Sequence, residues 1–136
     1  MLAALISYLA ILGRVYLNRA RQNVRPPFSV LTLVSEVPDQ DELTDTGATS
    51  YQVQLDIYAA DHASAELLKD AAYTLLNRPG KTFYLGDYYI GNCRVSSVDD
   101  LSELEYDGSA SALVRKSLTV DIHANKEDNH EQKKNL

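Results

Sequence analysis

The most constraining feature of this 136-residue chain is a change of apolar spacing within residues 49–78. Apolar and polar side chains first alternate, which is typical of a strand with one buried and one solvated face. After Asp61 the apolar spacing becomes that of an amphipathic helix. The strand's apolar set is Tyr51, Val53, Leu55 and Ile57, its polar set is Gln52, Gln54, Asp56 and Tyr58, and the helix set is Leu67, Leu68, Ala71, Ala72, Leu75 and Leu76. The segment therefore predicts a strand covered by a helix.

Local signals predict where that helix begins and ends. Asp61 can accept hydrogen bonds from the first-turn amides as an N-cap, and Ser64 is the alternative start. Asn77, Pro79 and Gly80 end the helix. The unit carries no catalytic group, so its function must come from what it assembles into.

The composition indicates one globular domain, which we place at residues 1–124. Apolar residues make up 45% of the chain and charged residues 24%, which is ordinary for a folded protein. A single cysteine, Cys93, excludes an internal disulfide framework and suggests a reducing compartment. Its strand context favours a buried side chain over a nucleophile. Residues 125–136 contain one apolar side chain and are predicted to form a disordered tail.

Charge is distributed unevenly along the chain. The first 35 residues carry four arginines and no acidic residue, whereas the remainder carries nine basic and 19 acidic residues. An acidic body repels phosphate, so a general nucleic-acid-binding module is disfavoured. Such a surface would still allow DNA to pass without being bound.

The N-terminal apolar run predicts a helix from Leu2 to Arg21 that is buried on one side. The run before Gly13 is too short to span a bilayer, which takes about 20 residues. Basic residues follow the run instead of preceding it, unlike a signal peptide. We therefore expect no membrane partner. The predicted wet stripe of this helix consists of Arg14, Asn18, Arg21 and Arg25.

The remaining patterns predict an α+β domain with the order α–β–β–α–β–β–β. Two helices would cover a mostly antiparallel sheet of four to five strands. The other predicted elements are a strand at 28–37 covered for part of its length on both faces, a polar loop at 39–48, a hairpin of residues 81–85 and 88–98 around Gly86-Asp87, an acidic connector at 101–107 and a strand at 109–124.

No residue pattern predicts catalysis, a cofactor or a metal. The histidines, His62, His123 and His130, lack metal-ligand spacing. A triad of Ser117, Asp121 and His123 can be imagined, but no G-x-S-x-G elbow accompanies it. The dispersed glycines form no nucleotide-binding fingerprint. We therefore expect a protein that is not an enzyme.

Two acidic clusters are best interpreted as solvated loop surfaces. The first resembles a calcium-binding loop only loosely, because it lacks the central glycine and the distal bidentate glutamate. The clusters are Asp39, Asp41, Glu42 and Asp45, and Asp99, Asp100, Glu103, Glu105 and Asp107.

Aromatic usage is skewed towards tyrosine, with nine Tyr, two Phe and no Trp. Tyr84, Tyr88 and Tyr89 cluster on the predicted hairpin. Tyrosine is enriched in protein interfaces, whereas a nucleic-acid stacking platform also needs a basic groove. Only Lys81 and Arg94 are near in sequence. A protein interface or a half-exposed sheet face is favoured.

Residues 1–124 resemble a family of phage proteins in the order of their elements. The N-terminal helix, the strand PPFSVLTLV, the polar loop and the phrase YQVQLDIYAADHASAELLKDAAYTLLN are similar to small tail-terminator or tail-completion proteins. These belong to the lambda tail-terminator and tail-to-head-joining group of long-tailed phages. The apolar first helix departs from a lone surface helix and suggests deeper burial, or a subunit contact.

The resemblance implies a structural role. Such proteins form a ring, typically a hexamer, that caps the head-proximal end of the tail tube, ends its polymerisation and presents a surface for head–tail joining. The implied partners are further copies of the chain, the tail tube protein and a head connector or stopper protein, with DNA passing through the lumen. The implied location is the tail–neck junction of the virion, and the host cytoplasm during assembly. The alternatives are a head-completion or stopper neck protein and a non-viral α+β binding module.

No functional residue can be transferred from the family by motif, so the candidate interface or lumen residues rest on the patterns above. They are Arg14, Arg21, Asp39, Asp41, Glu42, Asp45, Gln52, Gln54, Asp56, Tyr58, Tyr84, Tyr88 and Tyr89.

Overall fold

A six-stranded mixed sheet carries two α-helices on one face. The computed structural model describes residues 1–40, 45–101 and 113–126, with side chains for 1–38, 48–101 and 113–126. The elements are α1 (Leu2–Leu9), a 3-10 helix (Ala10–Leu12), β1 (Val15–Leu17), β2 (Phe28–Gln40), β3 (Asp45–Ala59), α2 (His62–Leu76), β4 (Phe83–Leu85), β5 (Tyr88–Asp100) and β6 (Val114–Lys126). The sheet order is β1-β2-β3-β6-β5-β4. β1 and β2 are parallel, and every other pair is antiparallel.

The central strands β3 and β6 build the core with the alternation that the sequence predicts. Val53, Leu55 and Ile57 of β3 are fully buried, as is Leu118 of β6. Leu55 lies directly opposite Leu118 in the antiparallel register. Leu5 and Leu9 of α1 belong to this same cluster, as do Ala72 and Leu76 of α2, so both helices cover one face of the sheet.

Helix α2 confirms the predicted element but not its whole buried stripe. Asp61 caps the helix by accepting a hydrogen bond from the Ser64 amide at 2.7 Å. The prediction that Leu67 and Ala71 face the core is wrong, because both are exposed and Leu67 is 72% accessible. The buried side chains are Ala65, Ala72 and Leu76. Small residues let the helix approach the sheet closely, and Leu67 lies about 200° around the helix from Ala65.

The predicted first helix, from Leu2 to Arg21, is wrong beyond Leu12. Gly13 has a φ of 110°, which L-residues rarely adopt, and the chain leaves the helix there. Residues Val15–Leu17 instead form β1, parallel to β2. Within the described residues the sheet therefore has six strands and is mixed, whereas the sequence predicts four to five mostly antiparallel strands.

Helix α1 packs through two fully buried leucines, Leu5 and Leu9. Its Tyr8 hydroxyl donates a hydrogen bond to the Leu75 carbonyl at 2.9 Å, which fastens α1 to α2. Arg78 donates to the same hydroxyl at 3.3 Å. No helix within the described residues is long and apolar enough to cross a bilayer.

The other predicted elements are found with shifted boundaries. Residues 28–31 of β2 are buried on both faces, as expected. Gly86 has a positive φ of 58° in the turn between β4 and β5, as a primed hairpin turn requires. β2 and β3 both extend into the predicted loop at 39–48, and β6 ends at Lys126. The acidic connector after Leu101 and the tail after Lys126 lie outside the described residues.

Cys93 is a buried side chain, as predicted. Its thiol donates to the Leu76 carbonyl at 3.0 Å. Burial raises the pKa of the thiol to about 12, so it stays protonated and unreactive at neutral pH.

Substituting Leu55 by alanine is expected to lower the free energy of unfolding by about 3 kcal/mol, because it opens a cavity in the central row of the core. The matched change Leu67→Ala, at an exposed position, should cost no more than about 0.5 kcal/mol. Urea denaturation of both variants measures the difference. Equal losses would contradict the assignment of the α2 face.

The N-cap predicts a pH-dependent stability. The Ser64 amide holds the pKa of Asp61 below its usual range, so the capping stabilisation is complete above the unfolded-state value and is lost as pH falls through the folded one. Asp61→Ala should therefore lower the urea midpoint at pH 7 and have progressively less effect towards pH 2. Asp61→Asn is the control, because asparagine also caps helices but carries no charge. A deficit in Asp61→Ala that did not shrink on acidification would contradict this interpretation.

Candidate functional site

The face of the sheet opposite the helices, here named the open face, combines polar side chains of β3 and β6. The polar residues predicted for β3 all point to it, since the intervening residues form the core. In β6 the open face includes Arg115, Asp121 and His123, which lie opposite Tyr58, Gln52 and Ser50 in the register. β3 and β6 therefore bring two predominantly polar rows side by side.

At the end of the open face nearest β1, the polar side chains are hydrogen-bonded to one another and the aromatic side chains stack. Arg115 Nη2 lies 3.2 Å from Asp56 Oδ1, and Gln54 Nε2 donates to both carboxylate oxygens at 3.1 Å. The Tyr58 ring stacks on Phe28 at 4.9 Å between centroids. The expectation that Asp56 is solvated is wrong, because only 5% of this residue is accessible. Its neighbours enclose the carboxylate and supply its hydrogen bonds.

At the other end the open face forms a groove of about 540 Å³. Gln52 Nε2 donates to Asp121 Oδ1 across the two central strands at 3.1 Å. Asn92 and His123 also line the groove. Residues 117 and 121 are separated by about 13 Å along an extended strand, so the imagined Ser-Asp-His triad has no triad geometry. Among the described side chains, no group of three His, Cys, Asp or Glu could hold a metal ion.

The predicted tyrosine cluster divides between the two faces. Tyr84 and Tyr89 are in edge contact at 5.3 Å between centroids, and Tyr84 is 61% exposed at the β4 edge. Tyr88 instead packs against the core cluster on the helix face. Adjacent strand residues point to opposite faces, so the cluster in sequence cannot be one cluster in space.

The two predicted arginines lie near the opposite edge, where β1 is the outermost strand. Arg14 Nη2 donates to the Arg25 carbonyl at 2.6 Å and to the Pro27 carbonyl at 3.3 Å, which closes the loop between β1 and β2. Arg21 is exposed beside a concavity of about 660 Å³. Arg14 thus has a structural contact, and Arg21 presents its charge at the rim.

The predicted site residues are therefore not one cluster but three: the open face, the β4 edge and the β1 edge. The side chains of Asp39, Asp41, Glu42 and Asp45 lie outside the described residues. Sequence reasoning missed Arg115, the ion-pair partner of Asp56. The sequence does show an arginine just before the alternating apolar residues of the last strand. Its partner lies 59 positions away, and only the strand register brings the two together.

Comparisons with known proteins give a structural likeness alone. No family model and no curated protein match the chain. Among solved structures, a chain of the "Virion of native gene transfer agent (GTA) particle" aligns with a TM-score of 0.58 at 15% sequence identity. The alignment covers 86% of this chain and 84% of that chain. At this identity the likeness shows a shared fold over nearly the whole of both chains.

Removing the buried carboxylate should destabilise the protein. We expect Asp56→Ala to lower the free energy of unfolding by about 2 kcal/mol, because Arg115 and Gln54 lose a charged acceptor. Arg115→Ala should cost at least as much, because it leaves the buried Asp56 carboxylate without its counter-ion, whereas the partly exposed Arg115 can be solvated. A double-mutant cycle measured by urea denaturation gives the coupling between the two residues. Strictly additive losses would show that the ion pair does not contribute.

Proposed function

We propose that this chain is a structural, non-enzymatic virion protein: the terminator that caps the head-proximal end of a phage-type tail tube. In this role it ends polymerisation of the tube and provides the surface for head–tail joining. Its partners are further copies of itself, the tail tube protein and a head connector or stopper protein. It acts at the tail–neck junction of the particle, after assembly in the host cytoplasm.

The observation that carries the proposal is the fold shared with a chain of a gene transfer agent virion over 86% of this sequence. The resemblance of the element order to tail-terminator proteins supports the finer role. The order of the elements in the sequence and the three-dimensional shape thus both support a protein of a phage-type particle.

The surface chemistry is consistent with an assembly protein through which DNA passes. The charge of Arg115 on the open face is neutralised by Asp56, and Asp121 is bonded to Gln52. The exposed Arg94 also lies on this face, opposite Asp121 in the register. A surface whose cations lie beside carboxylates attracts phosphate weakly and would not arrest a moving duplex. We propose the open face and the exposed Tyr84 as surfaces that face the lumen or a neighbouring protein.

Deletion of the gene from the genome that carries it tests the role directly. We expect tails of uncontrolled length in negative-stain images of the lysate, because nothing would stop tube polymerisation. Complementation with the wild-type gene should restore a single tail length, which controls for effects on neighbouring genes.

Two other results would point to the alternatives. Normal tails beside heads that leak DNA would identify a head-completion or stopper protein instead. Intact particles of normal tail length would contradict a virion role and favour a binding module outside the particle.

A further inference from the structure

The sheet has a step at each of its two edges. At one edge β1 has only three residues and pairs with Ser29–Leu31 of β2, which leaves residues 33–38 of β2 without a described outer neighbour. At the other edge β4 also has three residues and pairs with Tyr88–Ile90 of β5. Residues 96–100 of β5 likewise have no outer strand in the described part of the chain. Each edge therefore consists of one short protruding strand and one notch.

The protruding strand of one edge and the notch of the other lie at the same level of the sheet. A single row of paired residues crosses it, from Leu17 in β1 through Leu31, Leu55 and Leu118 to Val98 in β5. The interior of this row is fully buried, whereas Leu17 is 43% exposed and Val98 is 40% exposed. The apolar row is therefore exposed to solvent at both of its ends.

We propose that two copies of this chain join through these edges, with β1 of one copy seated in the β5 notch of the next. The strand directions permit this without turning a subunit over. β1 runs parallel to β2, and three antiparallel pairings separate β2 from β5, so β1 and β5 run in opposite directions. The junction is therefore an antiparallel strand pair that continues the sheet from one copy into the next.

The same placement brings the second step together at its end. Where β1 of one copy enters the β5 notch, β4 of its partner reaches the last residue of the notch along β2, because Phe83 lies in the same row as Pro38. Exposed apolar groups are available there as well: Tyr84 on β4 is 61% exposed and Val37 on β2 is 56% exposed. Both belong to the open face, because their rows meet β6 at Asn125 and His123, two positions apart. β1 fits the β5 notch in length and in level, and β4 meets the end of the β2 notch with apolar side chains on the same face.

Charge at the junction is also complementary. The exposed Arg14 immediately precedes β1, whereas β5 ends in the exposed Asp99 and Asp100. With Leu17 opposite Val98 in an antiparallel pair, the end of β5 lies beside the start of β1 of the next copy. Lys116 already bonds Asp100 at 3.1 Å, and Arg14 of the next copy adds a second positive charge near this acidic end. Opposite charges at the rim favour this encounter over a β1-to-β1 junction, which would bring like charges together.

A head-to-tail junction uses two different surfaces, so it repeats from copy to copy and closes into a ring when the rotation fits. This assignment of the joining edges extends the proposed tail-terminator function. It rests on that function only for the closure of the copies into a ring. The edge pairing itself is a property of the isolated protein and can be tested without a phage.

Paired cysteines test the junction in the full-length protein. Leu17→Cys and Val98→Cys in one chain are four strand spacings apart, about 19 Å along the sheet, so they cannot form a disulfide within that chain. In the proposed junction the two residues face each other across the copies. Oxidation should therefore give a ladder of disulfide-linked multimers on a non-reducing gel. The native Cys93 is buried and protonated, so it does not interfere.

The single variants Leu17→Cys and Val98→Cys are the matched controls, because each can give no product larger than a dimer. Leu67→Cys with Val98→Cys is a second control that pairs the notch with an exposed helix position. Wild-type protein that sediments as an oligomer, combined with no ladder from the Leu17–Val98 pair, would overturn the junction and leave the proposed function standing. A wild-type chain that stays monomeric at every concentration and gives no ladder would also overturn it.

A charge substitution gives a readout that does not depend on oxidation. Leu17→Asp should raise the concentration needed for self-association by about tenfold or more, because it places a carboxylate in the apolar row of the junction. Leu67→Asp should leave self-association unchanged. Circular dichroism melting curves report whether both variants remain folded. Equal self-association of the two folded variants would contradict the proposal, whatever the deletion mutant shows about tail length.

Discussion

The packing of β3 against β6 is the interaction on which the rest of the structure depends. These two strands lie at the centre of the sheet, and their apolar side chains occupy one face in an unbroken register. A slip of one residue would turn every one of those side chains to the other face, so burial fixes the register strongly. The helices α1 and α2 then have one place to bury their apolar residues, which is over this face.

The same register determines the chemistry of the open face. Once Val53 and Leu55 are committed to the core, Gln52, Gln54 and Asp56 must lie on the other side of β3. Antiparallel pairing then places Asp121 beside Gln52 and Arg115 near Asp56. The polar contacts of this face are therefore a consequence of core packing. They also hold β3 and β6 together on the face opposite the core.

Local signals were sufficient for the central part of the fold. The period-two alternation predicted β3, and the switch at Asp61 predicted α2, because both patterns are complete within a short segment. Burial of Asp56 could not be predicted in this way. Alternation assigns a side chain to a face, but its exposure depends on Arg115 and on the aromatic pair Phe28–Tyr58, which are brought in by other strands.

The N-terminal segment shows a second limit of local reasoning. Apolar residues suit a helix and a buried strand equally, so the segment from Leu2 to Arg21 fits one long helix. The deciding residue was Gly13, whose φ of 110° ends the helix and frees Val15–Leu17 to pair with β2. A glycine within an apolar run is a weak signal by itself, because it is tolerated in helices at a cost of about 1 kcal/mol. Pairing with β2, a contact outside the segment itself, is the information that the local pattern lacks.

The outermost strands of the sheet have a different role from the central pair. An exposed sheet edge can pair with strands of other chains, and short edge strands are one way in which proteins limit this risk. β1 and β4, at three residues each, leave no long straight edge on which any extended chain could dock over its full length. In the head-to-tail junction that we propose, apolar side chains meet on both faces of the sheet. Edges of this shape would discriminate by geometry, because they would disfavour random strand addition and pair with a second copy in a single register.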